Sequence, residues 1–167
     1  MDKIFIIGEV SKDKYKTPIN EERNYLTDSL EPSLQDLTFR KYDISVHYYR
    51  NCNAAVDDIQ ERIQKIMSSG KENGKKKRLF VLIYAPDLEK EENYQLSSVN
   101  LVKTLRKEKI KCEIIIYSFA HRQKQAKKAK GAQHFIQKYQ LWDIVKCLEG
   151  KCSCSQLIMK AKEEKNA

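Results

Sequence analysis

Short apolar runs alternate along this chain with longer stretches in which apolar positions recur every three or four residues. Residues 3–7 (KIFII) form an almost continuous apolar run, the pattern of a strand buried on both faces. A polar segment with Pro18 follows and reads as a loop. From Asn20 to Leu37, Leu26, Leu30, Leu34 and Leu37 predict a helix, kinked or restarted at Pro32 because proline lacks the N–H a helix interior needs. Residues 42–48 (YDISVHY) alternate as a half-buried strand does, and Asn53 is placed to cap the next helix. That helix carries an apolar stripe of Val56, Ile59, Ile63, Ile66 and Met67.

The second half repeats the alternation. Ser68–Lys77, with two glycines and a lysine cluster, reads as a flexible loop. The most hydrophobic run, 78–84 (RLFVLIY), predicts the central strand. Ala85–Asn93 is an acidic loop, and Leu96, Val99, Val102 and Leu105 stripe a third helix. Residues 112–117 (CEIIIY) predict another buried strand, 121–130 a very basic fourth helix closed by Gly131, and 134–137 a short last strand. Leu141, Ile144, Val145 and Leu148 stripe a final core helix that Gly150 ends. Five strands alternating with five helices predict a parallel sheet covered on both faces, with right-handed crossovers. The expected organisation is one α/β domain over 1–150 and a C-terminal helical tail over 151–167.

Composition narrows the function classes. No apolar run reaches the roughly 18–20 residues that span a bilayer. The opening MDKIFIIGEV reads as a strand rather than a secretory signal, so a cytoplasmic location and no membrane partner are expected. Five cysteines, an odd number, argue against a disulfide framework, and Cys152-Ser-Cys154 alone is too few ligands for a metal site. The glycines stand in no phosphate-loop spacing and no nucleophile elbow occurs. His47, His121 and His134 have no evident catalytic partner in the sequence, so no enzyme is expected. The net charge of +9 attracts acidic proteins or nucleic acid, or forms a plain solvated surface.

Chemistry in an open parallel sheet gathers at the carboxyl ends of the strands. Two stretches there, 114–120 (IIIYSFA) and 128–138 (KAKGAQHFIQK), resemble the second half of a response-regulator receiver domain: a strand ending in Ser or Thr, then a helix end, Gly-Ala, a short strand and a lysine. Ser118 and Lys138 match two functional positions. Residues 3–9 (KIFIIGE) are similar to the first receiver strand, which ends in paired acids, and 78–87 (RLFVLIYAPD) to the third, which ends in the phosphoacceptor aspartate. The resemblance implies a three-layer αβα, flavodoxin-like α/β fold with five parallel strands in the order 2-1-3-4-5.

The departures from that pattern set the functional expectation. The acid pair is reduced to Gly8-Glu9, and strand alignment puts Tyr84, which cannot form an acyl phosphate, at the acceptor position. The degenerate pocket would comprise Glu9, Tyr84, Asp87, Ser118 and Lys138. Mg²⁺ would have only Glu9 and Asp87 as carboxylates, so no metal or other cofactor is expected. The resemblance thus implies a pseudo-receiver, a non-catalytic signalling module that acts by protein contact. Its partner surface would be the basic fourth helix, with Arg122, Lys124, Lys127, Lys128 and Lys130, together with the last helix, and would serve a protein partner or a homodimer. Lys103, Arg106, Lys107, Lys109 and Lys111 extend the same basic region. Two alternatives stand beside it: a basic module that binds nucleic acid or another polyanion, and a phosphorylatable receiver that uses Asp87.

Overall fold

The computed structural model describes residues 1–9, 25–49, 51–68, 71–72, 74–85, 98–118, 131–137 and 139–151. Five strands make one parallel sheet: β1 (Lys3–Glu9), β2 (Asp43–Tyr49), β3 (Leu79–Ala85), β4 (Glu113–Ser118) and β5 (His134–Gln137). Their order is β2-β1-β3-β4-β5, the flavodoxin-like arrangement. The most apolar run takes the middle of the sheet because a central strand must be apolar on both faces.

Each face carries its own core. On one, Phe5, Ile7, Val81, Ile83, Ile114 and Ile116 pack against α2 (Cys52–Ser68) and α3 (Ser98–Lys107). On the other, Ile4, Ile6, Leu82, Tyr84, Ile115 and Tyr117 pack against α1 (Glu31–Leu37), the π-helical turn Leu26–Leu30 before it, and α4 (Leu141–Leu148). The strict inside-outside alternation of the two sets is the period-2 geometry of strands.

Several details sharpen the sequence reading. At Pro32 the helix changes pitch without breaking: the π turn closes with the Glu31 N–H bonded to the Leu26 carbonyl, Leu30 and Glu31 keep right-handed helical backbone, and α1 begins with the proline in its first turn. Leu26, Leu30 and Leu34 are buried as the spacing predicts. The capping residue of α2 is Asn51, not Asn53: the Asn51 Oδ1 accepts the Ala54 N–H at 2.9 Å, because the helix starts one turn earlier than its apolar stripe. The Ser68–Lys77 segment is not wholly loop, since Lys71–Glu72 pairs antiparallel with Lys75–Lys76. Leu101 joins Val102 and Leu105 in the core, a position the expected stripe omitted. Gly150 ends α4 at φ +75, and the N–H groups of Gly150 and Lys151 return to the carbonyls of Cys147 and Lys146.

Gly8 is required by packing rather than by backbone conformation. A Cβ there would lie 2.7 Å from the Leu26 Cδ1 and 3.0 Å from the Tyr48 ring. The π turn therefore seats directly on β1. Cys52 and Cys112 are not in disulfides, whereas Cys147 is disulfide-bonded, which the odd cysteine count had not suggested. No helix among the described residues is long and apolar enough to cross a membrane.

Candidate functional site

At the carboxyl edge of the sheet, the five positions of the expected pocket fare differently. Glu9 ends β1 beside Tyr49, but its side chain is outside what is described. Asp87 and Lys138 lie outside the described residues, as do Arg122, Lys124, Lys127, Lys128 and Lys130. Tyr84 and Ser118 are both described and both buried. They do not converge. Tyr84 belongs to the α1/α4 face with Tyr117, and strand alternation turns the next residue, Ser118, to the α2/α3 face. By register, the neighbour of Ser118 on β3 is Ala85, one residue beyond Tyr84.

What the α1/α4 face holds at this edge is a cluster of tyrosines. Tyr117 is fully buried, and its hydroxyl lies 2.7 Å from the Tyr25 hydroxyl. The same Tyr117 oxygen accepts the backbone N–H of Tyr139 at 2.8 Å. Ring centroids of Tyr25 and Tyr84 are 5.8 Å apart, those of Tyr84 and Tyr117 5.9 Å, and those of Tyr25 and Tyr139 6.1 Å, within the range of tilted and edge-on aromatic pairs. Burial raises the Tyr25 phenol well above its ordinary range, and the Tyr117 hydroxyl adds to that. Burial raises Tyr117 as well. Burial thus favours the neutral form of Tyr25 and Tyr117, and a phenol offers no carboxylate to Mg²⁺.

The cluster ends at the surface. Tyr139 sits at φ +73, in the left-handed region that a bulky residue enters only when something holds it there, and the bond to Tyr117 is one such hold. Tyr139 is 69% exposed and Trp142, on the first turn of α4, is 60% exposed. Between them Gln140 has its Oε1 buried without a hydrogen-bond partner among the described residues.

The basic region divides. Lys103, Lys107, Lys109 and Lys111 are exposed. Arg106 is an internal clamp rather than part of a charged face. Its Nε donates to the Gly131 carbonyl at 2.7 Å, its Nη1 to the Cys112 carbonyl at 3.1 Å, and its Nη2 to the Gln133 Oε1 at 2.7 Å. The guanidinium fork ties α3 to the turn before β5, a role no periodicity reveals.

Two histidines acquire partners that the sequence hid. His134 Nε2 lies 3.1 Å from the Glu113 Oε1 across the β4–β5 pair. His47 Nε2 lies 2.7 Å from the Ser45 Oγ, two residues back on β2. The Tyr49 hydroxyl donates to Asp58, and Arg62 holds the same carboxylate at 3.0 and 3.1 Å. Asp58 is thus engaged by Tyr49 and Arg62 and accepts no hydrogen bond from His47 among the described residues. Among the described residues, no group of three or more His, Cys, Asp or Glu is arranged to hold a metal ion.

No protein-family model matches the chain, and no curated protein is significantly similar to it.

Proposed function

We propose that this protein is a non-catalytic, receiver-like module that works by protein contact, with Tyr139 and Trp142 at the centre of its contact surface. The observation that carries the reading is the exposure of these two large aromatics, three residues apart in the chain at the junction of β5 and α4. Trp and Tyr concentrate binding energy at interfaces because a large amphipathic ring loses little conformational entropy on docking. The anchoring of Tyr139 through Tyr117 supports it further, since a pre-held ring binds at lower entropic cost. The acceptor position carries no carboxylate whether strand alignment is used, giving Tyr84, or register, giving Ala85. That favours contact over phosphoryl chemistry.

The test is comparative capture. Tagged wild-type chain, Trp142→Ala and Lys103→Ala are used to retain proteins from the native source, and bound proteins are quantified. Proteins retained by wild type and Lys103→Ala but lost by Trp142→Ala, with unchanged circular dichroism, are the expected result. Equal retention by all three sinks the proposal.

The polyanion reading has its own supporting observation in the exposed Lys103, Lys107, Lys109 and Lys111. It predicts affinity for generic duplex DNA or RNA that falls on a log–log plot against salt with a slope of about −0.9 per phosphate neutralised. The phosphorylation reading rests on Asp87 and predicts a saturable response to Mg²⁺ with beryllofluoride. The contact reading predicts neither.

A further inference from the structure

A second feature lies at the opposite, amino-terminal edge of the sheet, where the carboxyl ends of α1 and α4 meet the starts of β2 and β3. A cleft of about 490 Å³ opens there, large enough for a small organic ligand. Leu148 and Val145 give it an apolar wall, Phe39 and Tyr42 bring two aromatic rings, and Lys41, Arg78 and Lys151 bring three cations. Glu149 is the acid in the lining, and it is paired with Lys151 at 3.8 Å.

The cations differ in what already occupies them. Arg78 gives its backbone N–H and its Nε to Asp2, at 2.9 and 3.2 Å, and its guanidinium lies 5.0 Å from the Phe80 ring. Neither Nη hydrogen-bonds a described residue, and these are the donors that take a carboxylate or phosphate oxygen. Lys41 makes no ion pair among the described residues, and its Nζ stands 6.0 Å from the Phe39 ring. The carbonyls at the end of α1 are satisfied internally: Thr38 N–H and Oγ1 both reach Leu34 O, and Phe39 and Arg40 N–H reach Asp36 O and Gln35 O. These cations are therefore not needed to hydrogen-bond that helix end.

The backbone beside the cleft adds a separate observation. Phe39 and Arg40 are consecutive non-glycine residues at φ +53 and +56. A helix usually meets this conformation with glycine or asparagine. Here a phenylalanine adopts it and is then left 79% exposed, so neither backbone preference nor burial explains its presence. Beside Lys41 Nζ, the exposed ring offers a face on which a ligand's ring can stack.

We propose that this cleft binds a small aromatic anion, its ring against Phe39 and Tyr42 and its carboxylate or phosphate on Arg78 and Lys41. The inference is independent of the contact surface at the other edge of the sheet, and either stands without the other.

Phenyl phosphate is the probe, with inorganic phosphate and benzyl alcohol as controls, followed by amide chemical shifts of the full chain. The expected result is a saturable response confined to residues 38–42, 78 and 148–151, with a Kd of about 1 mM or below. Both controls should be at least about tenfold weaker, which corresponds to a loss of about 1.4 kcal/mol. Lys41→Gln should weaken phenyl phosphate severalfold. Phe39→Asn should abolish the response while leaving Tm equal to or above wild type, because asparagine tolerates the left-handed conformation. No saturable response, shifts scattered over the lysine-rich surface, or an equal response to either control overturns the proposal. So does a Phe39→Asn protein that binds as wild type does. A Phe39→Asn protein with a lowered Tm refutes the claim that the ring is held there for a ligand rather than for the fold.

Discussion

Replacing Tyr117 by phenylalanine removes one oxygen from the centre of the tyrosine cluster and leaves the buried ring in place. Apolar burial is therefore unchanged, and the whole effect comes from hydrogen bonds. Two are lost, one with the Tyr25 hydroxyl at 2.7 Å and one from the Tyr139 N–H at 2.8 Å. Each contributes about 1 kcal/mol net, so the expected destabilisation is about 2 kcal/mol. For a chain of this size that lowers Tm by roughly 4–8 °C. Urea denaturation followed by circular dichroism measures the free energy. The Tyr25→Phe single variant and the double variant complete a cycle. Because the two hydroxyls bond to each other, the double variant should cost less than the sum of the singles by about 0.5–1 kcal/mol. A Tyr117→Phe loss below about 0.5 kcal/mol, within the range of ordinary surface changes, or strict additivity with Tyr25→Phe, refutes the cluster as described. The chain has a single tryptophan, Trp142, so its fluorescence reports separately on the surface beside Tyr139. Tyr117→Phe should increase its quenching by acrylamide if the Tyr139 anchor orders that surface.

Arg106→Met should destabilise by more than about 2 kcal/mol in the same assay, since it strips charge-assisted bonds from part-buried oxygens; Arg106→Lys should recover only part, because an ammonium cannot span the fork. Burial pushes the Cys112 thiol up to about 11, against a smaller opposing pull from Arg106. At pH 8 its thiolate fraction is then about 10⁻³, so iodoacetamide should label half-buried Cys52 in the native protein and reach Cys112 only on unfolding, as read by peptide mass. His47 is held below its ordinary value of 6.5 by burial, then by Arg62, with Asp58 opposing. The folded state resists its protonation and the unfolded state does not, so its contribution to stability is full above about pH 6.5 and declines as pH falls from there toward the lowered folded value. Denaturation midpoints measured across that window should fall less steeply in His47→Gln, and identical slopes would contradict the assignment.

The fold was legible because its determinants are periodic. KIFII, RLFVLIY and EIIIY could satisfy their side chains only as strands buried on both faces, and the stripes Leu26–Leu34 and Ile144–Leu148 only as helices over them. The two-sided core follows from that pattern alone. The site was less legible because its determinants are not periodic. Which face Tyr84 and Ser118 share depends on a one-residue register, and alternation separates them although they fall at similar strand ends. Tyr25 meets Tyr117 across 92 residues of sequence, which no local pattern encodes. Arg106 looked like one more cation in a basic stretch, yet the turn before β5 brings two acceptors to it and the residue before β4 a third. Pro32 marked the place where the helix changes from π to α pitch, though not a break, while the Asn51 cap was missed because the apolar stripe of α2 begins a turn after the helix itself. Phe39 and Arg40 carry no glycine or asparagine to announce their left-handed backbone.

The proposed contact function puts the partner on the Tyr139–Trp142 surface. A photo-crosslinking residue placed at position 142 tests it most directly in intact cells, with the same residue at exposed position 103 as reference. The expected result is a discrete adduct formed at 142, absent at 103, and diminished when Tyr139 is also replaced by alanine. The same adduct pattern from both positions, or none from 142 with the protein folded and expressed, would contradict it.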